Sequence, residues 1–351
     1  MLARERIVRE IRDQGGWISF ARYMELALHA PGEGYYAAGA RQFGAEGDFV
    51  TAPELGKLFG RTLARQLAEF PDLPILELGA GSGALAETLL AELDREYLIL
   101  ETSAALRSRQ EARLGGKARH LDRLPERWRG IVLANEVADA IPVHIVAWRA
   151  EGVMERGVAV DSGKFVWRER PATGGLQEAA TRIEVPRPYE SEIGLAARAW
   201  MRTLCERLEH GLVLVIDYGF PHGEYYHPQR SAGTLMCHHR HQAHADPFAR
   251  PGDEDITAHV DFSALAGAAR AAGADVLGYA TQAQFLVNCG ITDVLGQANA
   301  ENALVYAPIA AQAQKLLSPA EMGELFKVLA VGRNVSSPLL GFSRGDRSHA
   351  L

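Results

Sequence analysis

A doubly wound, Rossmann-like α/β sheet with an N-terminal helical preface and inserted segments is the fold this sequence predicts, and three observations predict it. Six short apolar runs, PILELG, EYLILE, GIVLANE, GLVLVIDYG, ADVLGYA and LFKVLAVGR, alternate with stretches of helical periodicity. Runs of that length, apolar at successive positions and bounded by turn residues, suit strands buried between two helix layers. The first run leads directly into Gly79, Gly81 and Gly83 and then into a helix, and the second ends on an acidic residue, Glu101.

In chain order, residues 1–60 form a helical region. Ile7, Val8, Ile11, Phe20, Met24 and Leu28 recur at helical spacing and stop at the glycine- and tyrosine-rich turn HAPGEGYYAAG. Thr51, followed by Pro53 and Glu54, has the pattern of a capping box opening a helix through Leu55, Leu58, Phe59, Leu63 and Leu67. The core then occupies residues 61–147, 209–219 and 263–351, with two interruptions. The first, 148–208, carries VMERGVAVDSGKFVWRERP, an antiparallel excursion, and a helix near Leu195 to Leu208. The second, 220–262, is rich in His, Pro and Gly with little apolar periodicity, the signature of a loop covering a site.

At 47% hydrophobic residues, the 351-residue chain has enough apolar side chains for a full core. A net charge of -7 gives no global attraction to nucleic acid or anionic lipid. Cys205, Cys237 and Cys289 are odd in number and form no CxxC pair, against a disulfide framework and against a thiolate zinc site. The N-terminal MLARERIVREIRDQGG lacks the apolar run of a signal peptide and carries Glu5, Glu10 and Asp13, unlike an acid-poor presequence. With no run of about 18 apolar residues either, a cytoplasmic location and no membrane insertion are expected.

The glycines allow positive φ and let a ligand approach the backbone without meeting a Cβ. That geometry suits an adenosyl cofactor, and Glu101 is placed to accept hydrogen bonds from two ribose hydroxyls. Gly79-x-Gly81-x-x-Ala84 also satisfies the dinucleotide fingerprint, so a nicotinamide or flavin site and a packing turn without ligand stay open. Glu77 favours S-adenosyl-L-methionine, because a carboxylate there repels a pyrophosphate and attracts the ammonium of a methionine moiety. The closing pair of strands fits a sheet that ends in a hairpin.

With these residues in view, the chain resembles the mitochondrial complex I assembly factor methyltransferase family and its bacterial relatives over nearly its whole length. The resemblance rests on GEGYY (32–36), GDFVTAPELGKLFG (47–60), ELGAGSGALA (77–86), NEVADAIPVH (135–144), VIDYG (215–219), the segment 231–262, TQAQFL (281–286) and MGELFKVLA (322–330). It implies a seven-stranded S-adenosylmethionine methyltransferase core and methylation of an arginine nitrogen in a protein, a respiratory complex I subunit being the family's best-known substrate. Where the family usually has two aromatics in Asn-Glu-Phe-Phe-Asp-Ala-Leu-Pro, this chain has Val137 and Ala138; the polar residues remain.

Glu136 and Asp139 follow the strand GIVLAN at the edge where open α/β sheets bind ligands, and face one pocket if their turn is helical. They are the candidate carboxylates for a guanidinium; capping of the turn before Pro142 is the competing role. Asn135 joins the cofactor set with Glu77, Gly79, Gly81, Gly83 and Glu101. Asp48, Thr51 and Glu54 are candidates for the methionine end, where free helical N–H groups hold a carboxylate. Asp217 and Tyr218 are either substrate contacts or a buried satisfied pair. Cys237, His238, His239, His241 and His244 are poorly spaced for a metal, and none is expected. His241, His244, Asp246, His259 and Asp261 suit a substrate lid instead, in which His259, oriented by Asp261 on one face if that piece is a strand, serves with it as a catalytic pair. A non-catalytic cofactor-binding assembly factor and a methyltransferase acting on a small-molecule nitrogen or oxygen are the alternatives. Oligomeric state is not legible in the sequence.

Overall fold

The computed structural model describes residues 2–37, 51–299, 301–336 and 338–351. All six apolar runs form strands: β1 (Ile75–Leu78), β2 (Tyr97–Leu100), β4 (Trp128–Asn135), β5 (Leu208–Phe220), β6 (Asp275–Thr281) and β7 (Phe326–Arg333). A further strand, β3 (Arg119–Leu121), lies at the sheet edge. Its three residues are half-buried or exposed, so it carries none of the apolar signal that marks the others.

The sheet order is β6-β7-β5-β4-β1-β2-β3. Strands β1 to β5 pair in parallel, whereas β7 runs antiparallel to both β5 and β6. The expected terminal hairpin is thus antiparallel but not tight: helices Gln282–Asn288, Ile291–Gly296 and Ala303–Leu317 separate its strands. Strand order reverses between β1 and β4, and the crevice above their carboxyl ends is where such sheets take ligands.

Successive residues of β4 serve opposite cores, as the two-residue period of a strand requires. Ile131 and Leu133 join Phe59, Leu63, Phe285 and Val328 on one face. Val132 and Ala134 join Met201, Leu204, Phe262 and Leu265 on the other. Helix Leu195–Arg207, which the sequence places in the first insertion, therefore packs as part of the second helix layer beside Phe262–Ala271.

The antiparallel excursion begins earlier than residue 148. His144–Arg149, Gly152–Asp161, Lys164–Pro171 and Tyr189–Ile193 form a sheet with Ile18–Ser19 from the preface. Helices Leu2–Asp13 and Phe20–His29 bury Ile7, Ile11, Tyr23 and Met24 against Ile145 and Val158, so the preface and this insertion share one core. The 220–262 segment is more ordered than a loop: Met236–His239, Gln242–His244 and Asp255–Thr257 make a three-stranded sheet whose Cys237 and Ile256 reach the same core. Among the described residues no helix is long and apolar enough to cross a membrane.

The capping box is not formed. Ala52–Leu55 is a single 3-10 turn, Thr51 makes no side-chain cap bond, and Gly56 at φ 144° separates this turn from the helix Lys57–Leu67. The competing partner explains the outcome, because Glu54 accepts a hydrogen bond from the Ser82 hydroxyl of the glycine loop instead.

Candidate active site

A cavity of about 590 Å³ opens where the glycine turn, the end of β2 and the turn after β4 meet residues of the preface and the 220–262 segment. Gly79, Gly81 and Gly83 have φ of 61°, 54° and 81°. The turn needs glycine for that reason and for space: a Cβ on Gly79 would stand 3.2 Å from Val137 Cγ2. The next residues, Ala84–Glu92, form the predicted helix.

Glu101 lines the cavity at the end of β2. One carboxylate oxygen accepts from the Ser103 amide at 2.8 Å, the other from Gln110 Nε2 at 3.1 Å, and burial raises its proton affinity. Gln110, fully buried, also donates to Gly81 O at 2.9 Å, so it ties the glycine turn to the acidic residue. Sequence reasoning missed it, since a glutamine in a helix of unremarkable composition carries no signal beyond its helical phase. Glu77, 3% exposed, accepts from Tyr97 Oη at 2.7 Å, and burial pushes its carboxyl up to about 7. A cationic amine beside it would restore the ionised form.

The turn after β4 is not helical, yet it delivers both predicted carboxylates to the cavity wall. Glu136 takes the left-handed conformation at φ 54°. Its Oε1 accepts from the Ala52 amide at 3.3 Å and from Asn135 Nδ2 at 3.2 Å. Burial first, and the charge of Asp139 second, push Glu136 up to about 8. Asp139 accepts from the Tyr218 hydroxyl through Oδ2, while its Oδ1 is buried with no partner. Asn135 Oδ1 is orphaned in the same way.

Asp217 resolves to the second of its two roles. It is fully buried, accepts from the Ala138 and Asp139 amides at 2.9 and 3.2 Å, and takes the Tyr218 amide at 2.9 Å on its other oxygen. Burial and the charge of Asp139 hold its carboxyl well above the usual range. It latches the turn, whereas Tyr218 lines the cavity.

The catalytic pair proposed on AHVDF does not form as expected. Val260–Asp261 is a two-residue strand, His259 precedes it, and Asp261 turns away to cap helix Phe262–Ala271 by accepting from the Ala264 amide. A helix start offers that carboxylate several amides, which competes successfully with one imidazole. His259 still lines the cavity, with Nδ1 buried and unpartnered, and burial pushes its pKa down to about 4. Thr51 and Glu54 line the cavity as expected; Asp48 lies outside the described residues.

The histidine-rich segment forms a hairpin rather than a ligand cluster. Cys237 pairs with His244 across it, and His244 Nε2 lies 3.1 Å from buried Glu254. His238 lines the cavity, and His144 starts the inserted sheet with its Nδ1 2.6 Å from Glu155.

The glycine turn, a carboxylate at the end of β2, and Asn135, whose Oδ1 is buried without a partner, all on the wall of one cavity, together fit S-adenosyl-L-methionine. A family model for S-adenosyl-L-methionine-dependent methyltransferases matches residues 56–280. The chain belongs to that family. This methyltransferase is 48% identical to a Burkholderia thailandensis protein whose crystal structure holds S-adenosyl-homocysteine; the two superpose with a TM-score of 0.96, covering 100% of this chain and 96% of the other. "Protein arginine methyltransferase NDUFAF7, mitochondrial" of Danio rerio is 30% identical over 372 residues, 90% of this chain and 83% of the relative. The Drosophila melanogaster homologue of that protein is 29% identical over 390 residues, 93% and 86% of the respective chains. The cofactor is S-adenosyl-L-methionine, which sets aside the nicotinamide and flavin readings.

Proposed function

We propose that this methyltransferase transfers the methyl group to an arginine nitrogen of a protein, a respiratory complex I subunit being the first acceptor to try. The observation that carries the proposal is the pair Glu136 and Asp139 on the wall of the cofactor cavity, with Asp139 Oδ1 buried and lacking a donor. Its relatives in Danio rerio and Drosophila melanogaster bear the name of protein arginine methyltransferases, which supports the same substrate class.

When bound, the cofactor supplies an electrophilic methyl on its sulfonium. Glu101 would accept from the ribose hydroxyls, Glu77 would meet the methionine ammonium, and Thr51, Glu54 and Asn135 would hold that end. The remaining chemistry falls to the acceptor. A guanidinium has a pKa above about 12 and its lone pairs are delocalised, so it needs orientation and an outlet for one proton. Asp139, held by Tyr218, and Glu136 grip the N–H fork. As the new N–C bond forms and the methyl–sulfur bond breaks, the attacking nitrogen gives up a proton to Glu136, which the guanidinium beside it returns to the ionised form.

Purified protein incubated with methyl-labelled cofactor and an arginine-containing acceptor protein tests this. Label on arginine, reduced at least about 100-fold in Glu136→Gln and Asp139→Asn with S-adenosylhomocysteine affinity unchanged, is the expected result. Full activity in both variants would remove the two carboxylates from the mechanism, and label on lysine or a small molecule would replace the substrate class.

A further inference from the structure

The 220–262 segment brings to the cavity a carboxylate outside the pair already discussed. Asp255, 3% exposed, begins the strand Asp255–Thr257, lines the cavity and accepts from Tyr36 Oη at 2.9 Å. Tyr36 also lines the cavity and stacks on His29, with centroids 5.6 Å apart and planes 14° apart; His29 Nε2 in turn donates to Ala140 O at 3.1 Å. The same construction recurs with Asp139 and Tyr218, whose ring packs edge-on against His259 at 5.2 Å.

Two phenol–carboxylate pairs, drawn from four separate stretches of chain, thus share one cavity. The charges are close enough to be felt mutually: Asp255 and Asp139 both raise Tyr36, and both raise Glu136. An independent feature marks the place as built for a ligand. Asp139, only 6% exposed, lines the cavity, and its Oδ1 is buried with no hydrogen-bond partner. Among the described residues that line the cavity there is no lysine or arginine. A planar cation with N–H donors on several edges is the ligand chemistry that answers such a wall, and a guanidinium has five such donors in one plane.

We propose that Asp255, oriented by Tyr36, is a substrate-binding residue: the acceptor guanidinium lies between Asp255 and Asp139, donating to each, while its remaining edge meets Glu136. This deepens the arginine reading and rests on it. Asp255 sets which side chain enters and how it lies, and Glu136 remains the proton acceptor. Because Tyr36 comes from the preface and Asp255 from the second insertion, the acceptor site is completed by segments outside the α/β core.

The test uses the full chain with S-adenosylhomocysteine bound, titrated with an arginine–glycine peptide and with its lysine counterpart. The wild type is expected to bind the arginine peptide in preference. Asp255→Asn, which keeps the tyrosine bond but loses the charge, weakens that binding at least tenfold, leaving S-adenosylhomocysteine affinity and the melting temperature as in the wild type. In turnover with the same peptide the loss appears in KM more than in kcat. Tyr36→Phe, which keeps the charge but frees its orientation, gives a smaller loss in the same direction. Wild-type-like binding of the arginine peptide by a folded Asp255→Asn overturns the role of Asp255 and leaves the arginine reading standing. A wild type that binds neither peptide, or the lysine peptide equally well, overturns the arginine reading and this inference with it.

Discussion

Glu136 shows how much one residue can be asked to bear. It adopts a backbone conformation that non-glycine residues rarely take, and it buries a carboxyl whose proton affinity has risen to about 8. A raised acid pKa means that the folded state holds the proton over a range where the unfolded chain has released it. Stability is therefore lost as pH rises from the unfolded value near 4.5 to about 8, and the loss is complete above that. Glu136→Gln keeps the acceptor oxygen used by Ala52 and Asn135 but cannot ionise. It is expected to melt with the wild type below pH 4.5 and progressively higher above it, by a few degrees at pH 8. Thermal melts across that range check this, and a variant that is less stable at pH 8 would show that the carboxylate contributes to the fold. Raised stability with lost turnover is what a residue kept for chemistry predicts.

Two elements hold the site, and they fail in different ways. The glycine turn is a backbone device, with three positive φ angles in five residues and its carbonyls gripped by Gln110 and Arg113. Gly81→Val places a β-branched side chain where φ is 54° and should abolish S-adenosylhomocysteine binding measured by calorimetry. The same titration should raise the melting temperature of the wild type, since ligand at about 100 times Kd adds roughly 2.7 kcal/mol. The turn after β4 is a side-chain device. Asp217 accepts three amides on two oxygens, and an amide side chain in its place would turn its NH₂ toward at least one N–H donor. Asp217→Asn is expected to cost roughly 1–3 kcal/mol in urea unfolding and to lower kcat at least tenfold, with S-adenosylhomocysteine affinity retained. Lost affinity with normal kcat would mean that Asp217 serves the cofactor instead.

At the scale of the molecule, segments remote in sequence enclose the sheet and complete the cavity. The preface, both insertions and the C-terminal stretch wrap it. Leu339 and Phe342 are buried, Phe342 against Phe285 at 5.3 Å, and Gln66 and Asp346 accept from the Gly341 and Tyr279 amides at 2.7 and 2.9 Å. Removing residues 339–351 exposes one end of the first core. It should cost roughly 3–6 kcal/mol for two buried apolar side chains, read as a lower urea midpoint, although no residue of the cofactor turn is touched. An unchanged midpoint would show that the tail only decorates the fold.

The sequence by itself determined the sheet, the cofactor turn and the position of each candidate carboxylate along the chain, because those depend on local rules. Buried strands need continuous apolar runs, a sharp strand-to-helix turn needs glycine, and ligands collect at strand ends. Even there the edge strand Arg119–Leu121 was hidden, since a half-solvated edge needs no apolar pattern. Only the tertiary structure decided which polar side chains meet. Asp261 fits a histidine partner by spacing and a helix cap by geometry, and the free amides of the helix prevail. Thr51 and Glu54 match a capping box by spacing, yet Ser82 captures the glutamate from 28 positions away. Tyr36 and Asp255, and Gln110 in its bond to Gly81, take their importance from partners remote along the chain, because polar pairing is settled by three-dimensional proximity and burial.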